Sequence, residues 1–197
     1  MSKPYHHGHL KEALLQAARA RLAETAEADL SLRDLAARVG VSVNATYRHF
    51  ASKDAMLMEL AAGGFDALRA DMLDAMAAAG AVCAVSRLNA AGEAYVAFAN
   101  KEPALFRLMF GRGGRFKSDE RLSEAARATF LTLVEVVASV RSQPPDSPDV
   151  IKAAIASWSV VHGLAILGLE GYLQKLPAAH RPSTREVVAR LDVSDGE

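Results

Sequence analysis

Between Ser42 and Lys53 the chain places Val43, Asn44, Tyr47, Arg48 and His49, residue types that can act together on a nucleic acid. Arginine, lysine and a tyrosine hydroxyl hold phosphate oxygens. Asparagine can pair bidentately with adenine, and a valine methyl can meet the methyl of thymine. That chemistry needs the side chains on one outward face. An enzyme instead needs titratable groups that converge. The sequence holds no G-x-S-x-G, H-E-x-x-H or G-x-G-x-x-G run and no closely spaced carboxylate pair inside an apolar segment. We therefore expect neither catalysis nor a cofactor or metal site.

The elements that would present such a face can be read around it. Ser31 is a good N-cap, and Asp34 three residues on completes an S-x-x-D box. Leu35, Ala36 and Val39 follow at helical spacing. Gly40 is the residue type that most easily takes the left-handed conformation ending a helix. Ser42 can cap a second helix running to about Phe50. Two short helices about a glycine turn form either an ordinary helical hairpin or a helix-turn-helix, whose second helix enters the major groove. The outward residues of the second helix favour the latter. Lys53 opens the next helix, where the dipole disfavours a cation and a phosphate would relieve the conflict.

The run GVSVNATYRHFASKDAML, with its Y-R-H-F-x-S-K core, resembles the signature of the TetR family of bacterial transcriptional regulators over roughly residues 9–60. Thr46 departs from it, standing where the family usually has an apolar residue. The resemblance implies that Tyr47 and Lys53 hold phosphates while Arg33, Val43, Asn44 and His49 face base edges. Downstream, Trp158, His162, Gly163 and Leu164 resemble the W-x-x-x-H-G-L pattern of one subgroup of the family's regulatory domains.

Composition sets the outer bounds. The 197 residues suffice for a helical domain with a sizeable core plus a small second one. Lys+Arg and Asp+Glu are each 23, so overall charge does not announce a nucleic-acid binder. Locally it differs. Up to Lys53, Lys3, Lys11, Arg19, Arg21, Arg33, Arg38, Arg48 and Lys53 stand against Glu12, Glu24, Glu27, Asp29 and Asp34, a local excess of three positive charges. Cys83 is the only cysteine, which suits a reducing cytosol; a free cysteine usually packs as a small hydrophobe. The N-terminus lacks the apolar segment of a secretory signal. The uncharged run Ala153–Leu169 is marginal in length for a bilayer span and reads better as a buried helix of a cytoplasmic protein.

The fold expected is all-α with about nine helices: a three-helix helix-turn-helix domain over residues 1–53 and a helical regulatory and dimerisation domain over 54–197. Residues 1–8, with His6 and His7, read as a polar arm. Leu14, Ala18 and Leu22 mark a first helix over 9–23. The helix 53–78 carries Leu57, Leu60, Gly64, Leu68, Met72 and Met76 along one side and belongs to both domains. Helices follow over 82–101, 103–110, 119–141 (Ala126, Phe130, Leu133, Val134 and Val137 inward), 149–176 and 182–191. Residues 111–120 read as a basic loop and 192–197 as an acidic tail.

In the second domain Phe65, Met72, Tyr95, Phe98, Phe106, Met109, Trp158 and His162 include rings and methionines on several helices. Each alone reads as packing. Together they also suit a largely apolar ligand pocket, with Glu93, Tyr95, Arg107 and His162 as polar anchors. His162 fits either a hydrogen-bonded core residue or a pocket group. Ala156, Ser159, Gly163, Ile166 and Gly171 would admit a second helix closely, which predicts a homodimer reading half-sites about 34–36 Å apart. The function expected is a TetR-type repressor of a double-stranded operator, released by a small, mainly apolar effector. A helical protein-interaction module without an effector is the other reading.

Overall fold

A computed structural model describes residues 8–25, 27–80, 83–111 and 119–190. The expected arm with His6 and His7, most of the basic loop, Leu191 and the acidic tail lie outside these residues. The described chain is all-α, with nine α-helices. It forms two compact units. One comprises residues 1–64 with 104–123, the other 65–103 with 124–197. The boundary falls inside a helix because the start of that helix packs with the N-terminal helices and its remainder with later ones.

In the first unit, α1 (Gly8–Glu24) buries Leu10, Leu14, Ala18 and Leu22, one residue per turn. The Ser31 hydroxyl caps α2 (Leu32–Val39) by accepting from the Asp34 amide. Gly40 ends it at φ 76°; Gly40 N–H donates to Ala37 O and Val41 N–H to Ala36 O, the paired bonds of a Schellman stop. The Ser42 hydroxyl then caps α3 (Val43–Tyr47) through the Ala45 amide. This helix ends before Phe50 because its last turn tightens, with His49 N–H bonding Thr46 O. The first part of α4 (Lys53–Ala78) adds Met56, Leu57, Leu60 and Ala61 to the core, and α6 (Pro103–Gly111) adds Leu105, Phe106, Leu108 and Met109. Gly64 matters sterically, since a Cβ there would lie 2.7 Å from the Met109 sulfur.

In the second unit, the rest of α4 buries Phe65, Leu68, Met72 and Met76, and α5 (Ala84–Lys101) buries Leu88, Ala91, Tyr95 and Phe98 as the spacing predicts. Cys83 is exposed at the N-cap of α5, not buried as expected. The inward face of α7 (Glu120–Arg141) is rotated from the expected one. Ala126 and Phe130 are only half-buried, while Ala125, Thr129, Thr132 and Val136 are buried beside Leu133, Val134 and Val137. The threonines can be inside because their hydroxyls are satisfied. Thr129 Oγ1 reaches Ala125 O at 2.9 Å and Phe65 O at 3.0 Å, and Thr132 Oγ1 bonds Ala128 O while accepting from Arg69 Nε.

The next helix, α8 (Pro148–Leu169), stops well short of residue 176. Gly171 at φ 74° repeats the Gly40 geometry, with Gly171 N–H bonding Gly168 O and Tyr172 N–H bonding Leu167 O. Short 3-10 turns at Leu173–Lys175 and Ala178–His180 lead to α9 (Thr184–Val188), five residues long inside the expected 182–191, with Ser183 and Glu186 forming a capping box.

Thr46 is fully buried in the first unit, and its hydroxyl has no hydrogen-bond partner among the described residues. Valine has the same shape without the unmatched polar group. Thr46→Val should therefore stabilise the protein by about 1 kcal/mol, a rise in Tm of about 2–4 °C. A fall in the thermal midpoint would show that the hydroxyl contributes a bond.

Candidate functional sites

The α2–turn–α3 unit presents the candidate nucleic-acid face. Because Thr46 and Phe50 point into the core, Ser42, Asn44, Tyr47 and Arg48 are exposed, and Val43 and His49 are half-buried beside them. Arg33, in the first turn of α2, is exposed, and Lys53, the first residue of α4, is half-buried. Tyr47 is 54% exposed, a large ring left outside on a helix whose apolar side is already buried. The Ser42 oxygen is already engaged in capping α3, so its role in any contact is to fix the helix start.

Several cations of the N-terminal segment are already paired. Arg38 pairs with Glu24 at 2.9 Å and with Asp34 at 3.4 Å, Arg21 pairs with the same two carboxylates, and Lys11 pairs with Glu59 at 3.0 Å. The hydrogen bond that Arg38 donates to Glu24 raises the Arg38 titration. These alternating charges tie α1 to α2. The Arg21–Glu24 pair, at i,i+3, and the Asp34–Arg38 pair, at i,i+4, follow helical spacing; the pairs between α1 and α2 do not. The electrostatic conflict expected at Lys53 is also softened, since Asp54 puts an acid in the same first turn.

In the second unit, three of the sequence-predicted ligand residues meet. Trp158 and His162 stand one turn apart on α8 and both reach the Tyr95 hydroxyl on α5. Trp158 Nε1–H donates to it at 3.1 Å, and His162 Nδ1 lies 2.8 Å from it. An indole N–H can only donate, so the Tyr95 oxygen accepts there, and its proton and second lone pair can meet His162 Nδ1 in either tautomer. Burial favours the neutral form of both groups: it pushes the Tyr95 titration well up and the His162 titration down. The Trp158 ring also lies 6.0 Å from that of Phe130 on α7. Its neighbours along α7 and α8, Leu131, Ile155 and Leu167, are exposed.

The other expected pocket residues are distributed differently. Phe98 is buried one turn after Tyr95 on α5, and Phe65 and Met72 are buried on α4 in the same unit. Phe106 and Met109 belong to the first unit, where Phe106 stacks against Phe110 at 4.8 Å and Met109 fills the space over Gly64. The expected anchor Glu93 is engaged by Arg185 at 2.8 Å, and Arg107 is exposed in the first unit. Among the described residues no group of three or more His, Cys, Asp or Glu side chains is placed to hold a metal.

Comparison with known proteins matches two stretches of the chain. Residues 14–60 match the family described as bacterial regulatory proteins, tetR family, and residues 88–191 match the tetracyclin repressor-like C-terminal domain. No curated protein matches the chain. Among solved structures, a protein of unknown function from Rhodococcus sp. RHA1 is 32% identical, with 95% of this chain and 94% of that one covered at a TM-score of 0.80. A tetR-family transcriptional regulator from Streptomyces coelicolor is 15% identical over 92% of this chain and 78% of its own, at 0.71. The ketosteroid transcriptional regulator KstR2 of Mycobacterium tuberculosis is 20% identical over 91% and 89%, at 0.56. The last two show a shared fold.

The trio carries a pH signature. With its folded titration depressed below the ordinary 6.5, His162 binds its proton more readily in the unfolded chain. Its contribution to stability is fully present above that value and is lost as pH falls through the lower folded one. Between about pH 7.5 and about pH 5.5 the urea midpoint of the wild type should fall more than that of His162→Gln. Equal falls would remove His162 from the titration.

Proposed function

Since the chain belongs to the tetR family of bacterial regulatory proteins, we propose that it is a cytoplasmic, non-enzymatic repressor that binds a pseudo-palindromic operator as a homodimer and is released by a small, mainly apolar effector. The carrying observation is the outward set on and beside α3. Asn44, Tyr47 and Arg48 are exposed together while the nearby Arg21 and Arg38 are neutralised by Glu24 and Asp34. In this reading Tyr47 and Lys53 hold phosphates, and Arg33, Val43, Asn44 and His49 face base edges.

The surface of α8 supports the dimer. It is the one described helix long and apolar enough to cross a membrane, yet only 33% of its most apolar window is buried within the chain. Ile155, Trp158 and Leu167, with Leu131 of α7, leave a run of apolar surface that a second copy would cover. The four-helix interface is then made by α7 and α8; α9 is too short to contribute a long helix. The Trp158–Tyr95–His162 grip gives the W-x-x-x-H part of the subgroup pattern a physical meaning, and the buried Phe98, Phe65 and Met72 of the same unit supply apolar lining. Since α4 runs unbroken from one unit into the other, an effector that favours one of two α4 orientations would act through it. About 1–3 kcal/mol of coupling is the reasonable scale.

A gel shift across salt concentrations tests the DNA face. Lys53→Ala should weaken binding to all sequences alike and flatten the salt dependence by about one unit of slope. Asn44→Ala should relax preference at one operator position instead. An unchanged slope for Lys53→Ala rules out its phosphate contact, and no operator binding at all would favour a protein-interaction module.

Light scattering tests the assembly. The protein should run as a dimer at micromolar concentration, and Trp158→Asp should shift it toward monomer. A wild-type monomer would sink the two-fold reading of the operator.

A further inference from the structure

The segment after α8 is held to its unit in an unusual way. Between residues 166 and 190 only Val188 is buried, at 1% exposure. The segment carries its own internal order: Arg181 bonds the carbonyls of Gln174 and Leu176, and Ser183 and Glu186 cap α9. Its attachment is another matter. Arg185 pairs with Glu93 of α5, but the Arg185 side chain is 79% exposed, and such screened pairs contribute little. Leu173, half-buried, rests 3.8 Å from where a Cβ on Gly168 would lie. The one side chain of the segment that is fully buried is the isopropyl group of Val188.

That group sits in a notch. A Cβ built on Gly92 of α5 would lie 3.1 and 3.2 Å from the two Val188 methyls and 3.2 Å from a methyl of Val161 on α8. Gly92 is inside a helix, where glycine costs stability, and its missing side chain makes the space Val188 occupies. The notch adjoins the aromatic trio: Gly92 precedes Tyr95 by one turn of α5, and Val161 adjoins His162 on α8.

We propose that α9 is a lid. Closed, it plugs the α5–α8 notch with Val188; open, it exposes the notch, one turn of α5 from Tyr95, to a branched apolar group of the effector. Naming that occupant rests on the effector reading above; the opening of the lid does not. One isopropyl group of burial sets the closed form against the open one by roughly tenfold to hundredfold, so local opening is accessible without global unfolding.

Hydrogen exchange on the full-length protein tests the opening. The amides of Val187, Ala189 and Arg190, whose bonds close α9, should exchange far faster than the buried turns of α5 and α8. Val188→Ala should speed them about tenfold or more with α5 and α8 unchanged. Parallel loss of protection in α5 and α8 would make Val188 an ordinary core residue and overturn the lid. Fluorescence of anilinonaphthalene sulfonate tests the notch. Its binding should strengthen several-fold in Val188→Ala and in Val188→Asp, and adding Gly92→Leu should remove the gain. No gain in either variant would overturn the notch as a binding subsite. Failure of the effector reading registers separately, as operator binding that no small apolar molecule alters while probe binding still follows the lid.

Discussion

A single positive φ angle at Gly40 fixes the orientation on which the candidate DNA face depends. At 76° the backbone turns sharply enough for Gly40 and Val41 to return bonds to Ala37 and Ala36, and Ser42 starts the next helix two residues on. The rotation of α3 is then set. Thr46 and Phe50 face the core, and Asn44, Tyr47 and Arg48 have nowhere to go but outward. A side chain at Gly40 would meet no neighbour, so the requirement is conformational rather than steric. The buried but unmatched Thr46 hydroxyl fits the same view. The position is dictated by the turn, and the residue there is tolerated within that constraint.

The same stop recurs at Gly171, and the contrast shows what was legible in the sequence. At Gly40 the apolar period breaks at the glycine, so a helix end is the natural reading. At Gly171 the apolar period runs on through Leu169, Leu173 and Leu176, and the glycine passes for a small packing residue. The structure treats the two alike. Helix existence and the buried stripes of α1, α4 and α5 were readable because each repeats over several turns. The face of α7 was not, since Thr129 and Thr132 count as polar in any apolar pattern while their hydroxyls are satisfied by main-chain carbonyls. The outward residues of α3 were readable for the converse reason, as they are what remains once a short apolar set is assigned inward.

Charge was legible only as a total. The excess up to Lys53 is real in number, but the pairs Arg21–Asp34 and Arg38–Glu24 depend on contacts between α1 and α2 that spacing does not encode. Glu24 and Asp34 occupy Arg21 and Arg38. The consequence is selective: positive potential is removed between the helices and left at Arg33 and Arg48 on the outer side. Exposed pairs of this kind add little stability; their effect here is to decide where cations remain available.

The pocket residues that the sequence grouped by type separate by position, and what remains is a hydroxyl with two partners on one helix. This geometry gives Trp158 two obligations. Its N–H is committed to Tyr95 on the inner side of α8, while its ring lies near Phe130 and is still 36% exposed. Anything that covers the outer ring surface must accept the orientation that the inner hydrogen bond imposes. Anything that displaces the Tyr95 hydroxyl breaks its bonds to the indole N–H and to the imidazole Nδ1 together. Covering the α7–α8 surface and occupying the space beside Tyr95 are therefore not independent events. The side chain that links them sits on the helix whose apolar surface is least covered by its own chain.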